Sequence, residues 1–261
     1  MCLRWRSSAA LFSFLLAAAG CVTSPVTGRE QLLLFPEGME VQLGLQSFQK
    51  ILSNSKISKD RIKNAALRRV GRRVAAATGK RNYKWEFVVI ENNTPNAFAL
   101  PGGKVAVHTG MFPVAGNDAG LATVVSHEVA HAIVRHGGER MSQNLIVQIG
   151  LAAVQTGMRN NDPQTVRQVT ALLGAGVSVG VLLPFSRDQE SEADRVGLIY
   201  MAKAGYDPRA ARDFWIRMMR SAKGKSRPPE FLSTHPAHQT RIRQIESWLP
   251  EAMRHYRPRR R

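Results

Sequence analysis

Ser126-His127-Glu128-Val129-Ala130-His131 is the stretch on which the reading of this chain turns. It lies in a helical run that opens near Asn117 or Asp118 and is expected to stop at Gly137-Gly138. Residues four apart on a helix are separated by about 400°, so His127 and His131 leave one face a turn apart and can bind the same zinc ion through imidazole nitrogen. Glu128, beside them, can take a proton from a metal-acidified water and later pass it to a leaving amine. Three fixed residues are only moderately specific. A catalytic zinc needs three protein ligands and one open position, so a third ligand has to come from elsewhere in the chain.

The acidic run Asp188, Glu190, Glu192 and Asp194 offers the candidates. On a helix Glu190, Ala193, Asp194 and Gly197 share a face, whereas Glu192 is about 200° from Glu190 and points away. Ala193 and Gly197 have almost no side chain, which lets this helix come close to the one carrying His127. Glu190 is therefore the expected third ligand of one Zn2+ per chain. Asp194, a turn further on, is placed to accept the other N–H of a ligand imidazole, fixing its tautomer and raising its basicity.

Outward from these two helices the chain alternates in type. Residues 37–55 and 59–77 carry apolar residues at three-to-four spacing, the second run capped by Ser58 and stopped by Gly79. Residues 83–90 change to period two, and short runs at Ala97–Leu100 and Lys104–His108 flank the turn Pro101-Gly102-Gly103. Asp162-Pro163 and Asp207-Pro208 each read as a cap followed by proline at the first helical position. The apolar stretch from 145 to 183 reads as a buried or lid-like helical pair, since Thr170 to Phe185 is too short to span a bilayer. No internal repeat is visible. The expected fold is α+β and mainly helical, with a small sheet beside the helix of His127 and His131.

The first twenty residues point to export. Arg4 and Arg6 precede an uncharged segment with an apolar centre, and Ala18-Ala19-Gly20-Cys21 closes it, as in a secretory signal peptide. That end resembles a bacterial lipobox, with Cys21 as the lipidated residue. Ala is found where that box prefers Leu, and Ala17-x-Ala19 offers ordinary signal peptidase a site as well. Cys21 and Cys2 are the two cysteines, and Cys2 would leave with the signal, which excludes a disulfide framework in the mature monomer. Val22 after the cysteine favours, by resemblance to Gram-negative sorting rules, the outer membrane. Residues 21–36 read as an extended tether, with Leu32–Phe35 docking on the body.

The residues quoted so far, His127-Glu128-x-x-His131 with Glu190-x-Glu192-Ala193-Asp194, resemble the gluzincin zinc metallopeptidase family of the CAAX prenyl protease and HtpX. Within it they are most similar to the soluble lipoprotein branch of LoiP and the catalytic core of BepA. Ser24-Pro25-Val26-Thr27-Gly28-Arg29, Asn96–Gly103 and Ser233-Thr234-His235-Pro236 with Arg241 extend the resemblance over about residues 24 to 245. The bare catalytic domain is expected here, without the tetratricopeptide repeats of BepA-like members or the paired membrane spans of HtpX. The resemblance implies a zincin-type peptidase domain over 37–250, cleaving unfolded or misassembled envelope proteins from a lipid anchor on the periplasmic side of the outer membrane. It also implies that His235 lies near the zinc, either donating to the oxyanion or filling the open position as an inhibitory fourth ligand. Arg241 would stabilise the developing charge or orient His235. A latent site in a chaperone or assembly factor is the alternative.

Two further expectations concern surfaces. Lys104, Val105, Ala106 and Val107 are candidates to pair with an extended substrate through backbone hydrogen bonds, which reads little sequence. His108, His136, His238 and His255 read as structural or surface groups. The net charge of +18 falls by the two arginines of the leader to +16. The basic tail, residues 251–261, is a candidate for contact with anionic lipid. Export, few aromatics and no binding motif argue against nucleic acid as a partner.

Overall fold

The computed structural model describes residues 21–258 apart from 25, 170, 172–185, 224–229 and 237–238. The chain divides into two compact units, one of Met1–Glu37 with Gly137–Leu183, the other of Gly38–His136 with Pro184–Arg261.

In the first unit, residues 21–36 do not form a plain tether. β1 (Cys21–Thr23) and β2 (Glu30–Leu32) make an antiparallel hairpin. Arg29 donates to both carboxylate oxygens of Glu139 at 2.8 and 2.7 Å, and the Leu34 N–H donates to Ser142 Oγ at 2.8 Å. Leu33 is buried, whereas Cys21 is exposed. The long helix that follows Arg135 carries exposed Leu145, Ile146 and Ile149, so of the two expected readings, buried or lid-like, the buried one does not hold along this stretch. No helix among the described residues is long and apolar enough to cross a membrane. The apolar stretch Thr170 to Phe185 falls outside the described residues except for 171.

The second unit holds the remaining elements: α1 (Glu37–Ser53), α2 (Arg61–Thr78), β3 (Glu86–Ile90), β4 (Ala97–Leu100), β5 (Lys104–His108), α3 (Met111–Ala115) and α4 (Asp118–Val134). The chain passes into the long helix α5 (His136–Gly157) and returns in α6 (Arg187–Lys203), α7 (Ala210–Ala222), α8 (Glu230–Thr234) and α9 (Gln239–His255). α2 is capped by Asp60 rather than Ser58, its Oδ1 accepting from Ile62 and Lys63 N–H at 2.9 and 3.0 Å. It ends at Gly79. α7 is α-helical from Ala210, two residues beyond the expected proline start, with Pro208 and Arg209 in a turn, while Asp207 caps as expected by accepting from the N–H of Arg209 at 2.9 Å. α9 runs through to His255, so the basic tail is helical over its first residues.

The three-stranded sheet has the order β3-β5-β4, with β3 parallel and β4 antiparallel to β5. Gly102 and Gly103 both have positive φ, 86° and 87°, a conformation that costs glycine alone nothing in this tight turn. The topology corrects one expectation. Lys104, Val105, Ala106 and Val107 form the middle strand, with backbone groups paired on both sides and side chains buried, and the Lys104 ammonium bonds Glu86 and the Lys84 carbonyl. They cannot add a substrate strand. Among the described residues β4 is an edge strand.

Phe48 of α1 packs against Ile90 and Ala106 on the sheet. α4 is buried from Gly120 to Val134, apolar almost all round, as a central helix must be. It is sheathed by α2, α6, α7 and β4. Against α6 the approach is as close as backbones allow: a Cβ built on Gly197 would stand 3.1 Å from the His127 nitrogen and 3.2 Å from its Cα.

Candidate active site

α4 positions the first residues of the site. Asn117 caps it, its side chain accepting from the N–H of Gly120 at 2.9 Å. The helix stops earlier than the glycines suggest. Arg135 takes the left-handed conformation with φ of 65° and closes α4, and α5 then runs through Gly137-Gly138. The Arg135 guanidinium is held there by Glu40, at 2.7 and 3.2 Å. α6 opens with a capping box between Ser186 and Gln189, which sets Glu190, Glu192 and Asp194 in its first two turns.

His127, His131, Glu190 and His235, all buried, bring one donor atom each into a single cluster. His131 Nε2 lies 3.1 Å from His127 Nε2 and 3.2 Å from Glu190 Oε1. His235 Nδ1 lies 3.2 Å from His127 Nε2 and 2.8 Å from Glu190 Oε1. Ligand atoms around a tetrahedral zinc, with bonds of about 2.0–2.2 Å, are about 3.3–3.6 Å apart, so this set needs little adjustment to fit that ion. The charge balance also suits a divalent cation. Glu128, Glu190, Glu192 and Asp194 are four buried carboxylates, and the buried guanidinium among them is that of Arg241.

Around the cluster, Asp194 Oδ1 is 3.0 Å from His127 Nδ1. Arg241 grips Asp194 with two bonds, Nε to Oδ2 at 2.6 Å and Nη2 to Oδ1 at 2.8 Å. Its Nη1 lies 2.8 Å from Glu190 Oε2 and donates to the Pro236 carbonyl at 3.2 Å. Trp215 lies under the guanidinium, 3.6 Å from ring centroid to Cζ, and stacks on Phe231, which in turn packs against His235. Arg241 thus fastens Glu190, Asp194 and the backbone after His235. Glu128 Oε1 is 3.3 Å from His235 Nε2.

The electrostatics follow from burial and neighbours. Burial alone would lower His127, but Asp194 and Glu190 outweigh it and raise it to about 9. Burial pushes Glu128 up, and it holds His131 well below the ordinary imidazole range. Burial would raise Glu190 and Asp194, but Arg241 above all, and then the histidines, outweigh it and hold both below the ordinary carboxylate range.

Two residues here escaped the sequence. His136, read as structural or surface, is fully buried and lies 2.8 Å from His131, and Glu192, read as pointing away, is buried at 3.1 Å from His136. Helical spacing hid both, because the left-handed Arg135 turns the chain between His131 and His136. His108 is buried against the Thr94 carbonyl at 3.2 Å, His255 is exposed, and His238 falls outside the described residues.

A mainly helical domain with a small sheet, built around a buried helix that presents His127 and His131, is a zincin-type peptidase domain. The chain belongs to peptidase family M48, whose model matches residues 61–249. It is 42% identical over 186 residues to the mitochondrial metalloendopeptidase OMA1 of Schizosaccharomyces pombe, covering 70% of this chain and 52% of that protein. It is 33% identical over 244 residues to the mitochondrial metalloendopeptidase OMA1 of Danio rerio, covering 88% and 50%. To the beta-barrel assembly-enhancing protease of Escherichia coli K12 it is 28% identical over 219 residues, covering 78% and 42%. The chain thus spans about half the length of these relatives.

Proposed function

We propose that this protein is a zinc metalloendopeptidase of the bacterial envelope whose resting site is closed by its own histidine. His127, His131 and Glu190 would hold the metal, and His235 would take the fourth position. The observation that carries the reading is the spacing of the four donor atoms, with His235 Nδ1 inside the cluster and its Nε2 turned to Glu128. With His235 as a fourth protein ligand, a tetrahedral ion would have no room for water. Catalysis would then require His235 to withdraw, which would also free Glu128.

Zinc, when bound, would acidify a water and polarise the scissile carbonyl. Glu128 would take the proton of the attacking water and deliver it to the leaving nitrogen, a task its burial favours by raising its proton affinity. Asp194 would hold His127 by its Nδ1–H, and Arg241 would keep Glu190 ionised and in place. An extended substrate would pair with the open edge of β4, which packs against α4 and whose preceding Pro95 carbonyl receives the N–H of Phe231 at 3.4 Å. Pairing through backbone reads little sequence, which suits unfolded or misassembled envelope proteins as substrates. The leader and Cys21 support attachment to the outer membrane, facing the periplasm, through a lipid; the basic tail would add contact with anionic lipid.

The test is proteolysis of an unfolded protein by zinc-loaded wild type and His235→Ala. Higher activity in the variant supports the closed resting state. Activity present in wild type and lost in the variant would assign His235 to the oxyanion. No cleavage by either, with zinc bound, would favour the alternative of a latent site in a chaperone or assembly factor, to which the closed cluster also lends itself.

A further inference from the structure

We propose that His136 and Glu192 are positioning residues for the metal ligand His131, forming a relay that carries the charge of a carboxylate through an imidazole to the ligand. The inference rests on the zinc reading above. His136 is 0% exposed and Glu192 5%, so neither is a surface group that happens to lie near. His131 Nδ1 and His136 Nδ1 are 2.8 Å apart, and His136 Nε2 is 3.1 Å from Glu192 Oε2.

The proton positions follow from what each group can do. With Glu192 ionised, and so accepting only, and His136 neutral, the His136 proton belongs on Nε2 and points at Glu192. Its Nδ1 is then an acceptor, and the hydrogen bond to His131 forms only if His131 carries its proton on Nδ1. That choice leaves the lone pair of His131 on Nε2, the atom that faces His127 and Glu190 in the donor cluster. The ring is thereby oriented and its tautomer set for a metal before any metal arrives, and the carboxylate behind it raises its basicity.

The other histidine obtains the same service directly, since Asp194 is 3.0 Å from His127 Nδ1. His131 lies one turn further along α4, and its Nδ1 is met by the imidazole of His136. One helix, α6, thus supplies a ligand in Glu190, the end of the relay in Glu192 and a direct partner in Asp194. The alternating acidic spacing has a reason at each of those three positions.

The experiment compares full-length wild type, Glu192→Gln and His136→Phe in three measurements: zinc affinity by chelator competition, the absorption spectrum of the Co2+-substituted protein, and thermal stability without metal. Loss of such partners of a ligand histidine weakens metal binding by about 10- to 100-fold. We expect a loss near the lower figure for Glu192→Gln, which keeps shape and removes charge, and near the upper for His136→Phe. The cobalt bands should shift in both. Unchanged affinity and spectrum with reduced metal-free stability would overturn the relay and leave a buried pair that only fastens the start of α5 to α6. Should His136→Phe not fold, the isosteric Glu192→Gln decides alone. Absence of zinc in wild type would overturn the metal reading itself, a result distinct from zinc bound equally by all three proteins.

Discussion

Arg241 is, among the described residues, the buried guanidinium that stands among the carboxylates of the site, and its replacement by leucine tests how that site is held together. Leucine keeps an apolar stem on Trp215 and removes the two bonds to Asp194, the contact at 2.8 Å to Glu190 and the bond to the Pro236 carbonyl. Breaking a buried ion pair by removing one partner costs about 3–5 kcal/mol, because a charge is left without compensation. Here two carboxylates lose the same cation, while His127, with its pKa of about 9, still neutralises part of the deficit. The expected loss in the metal-free protein is therefore about 3–5 kcal/mol, which for a chain of this size lowers the melting temperature by about 10 °C. Zinc would recover part of it by placing positive charge against Glu190. Urea unfolding of chelator-treated and zinc-loaded protein, wild type beside Arg241→Leu, measures both quantities. Arg241→Lys, which keeps the charge and loses the fork that spans two carboxylates, should fall between them. A metal-free Arg241→Leu protein within about 0.5 kcal/mol of wild type, the range of an ordinary surface change, would refute the reasoning.

Two further outcomes follow from close contacts. Gly197→Ala gains about 1 kcal/mol of helix propensity, but its Cβ would stand 3.1 Å from the backbone nitrogen of His127, and overpacking costs about 1–3 kcal/mol. Because whatever yields is the backbone that carries a metal ligand, zinc affinity should drop even if stability hardly changes; chelator competition giving the wild-type constant would count against this packing. Arg135→Gly relieves a left-handed residue, worth about 1–2 kcal/mol, yet deprives the buried Glu40 carboxylate of its guanidinium at a cost of about 3–5 kcal/mol. The variant should lose about 1–4 kcal/mol in urea unfolding, and a variant as stable as wild type would limit the ion pair to about 1–2 kcal/mol, the size of the backbone relief and below the cost argued here.

Local pattern carried much of this structure because local rules produced it. The periodic runs place α1, α2 and α4 within a few residues of their observed bounds, and Gly79 ends α2 where a left-handed cap is required. The small residues Ala193 and Gly197 foretold a close crossing, since a helix without side chains on one face has nothing to hold its partner off. The caps were less legible. Ser58 and Asp60 are equivalent by type, and it is Asp60, next to the first helical residue, whose side chain accepts from the N–H groups of Ile62 and Lys63. Arg135 closes α4 although two glycines follow, because Glu40, far away in sequence, holds its side chain.

What the sequence by itself determined is the chemistry available: two histidines one turn apart, a glutamate between them, and a second helix with three acidic residues at alternating positions. Those are consequences of fixed helical geometry, which acts over a few residues. The tertiary structure decided the rest, namely that Lys104–Val107 is an inner strand, that Arg241 serves Glu190 and Asp194, that His235 enters the donor cluster, and that Glu192 meets His136. Strand order and the meeting of residues about fifty to a hundred positions apart arise from packing whole elements on one another, and no local period encodes them.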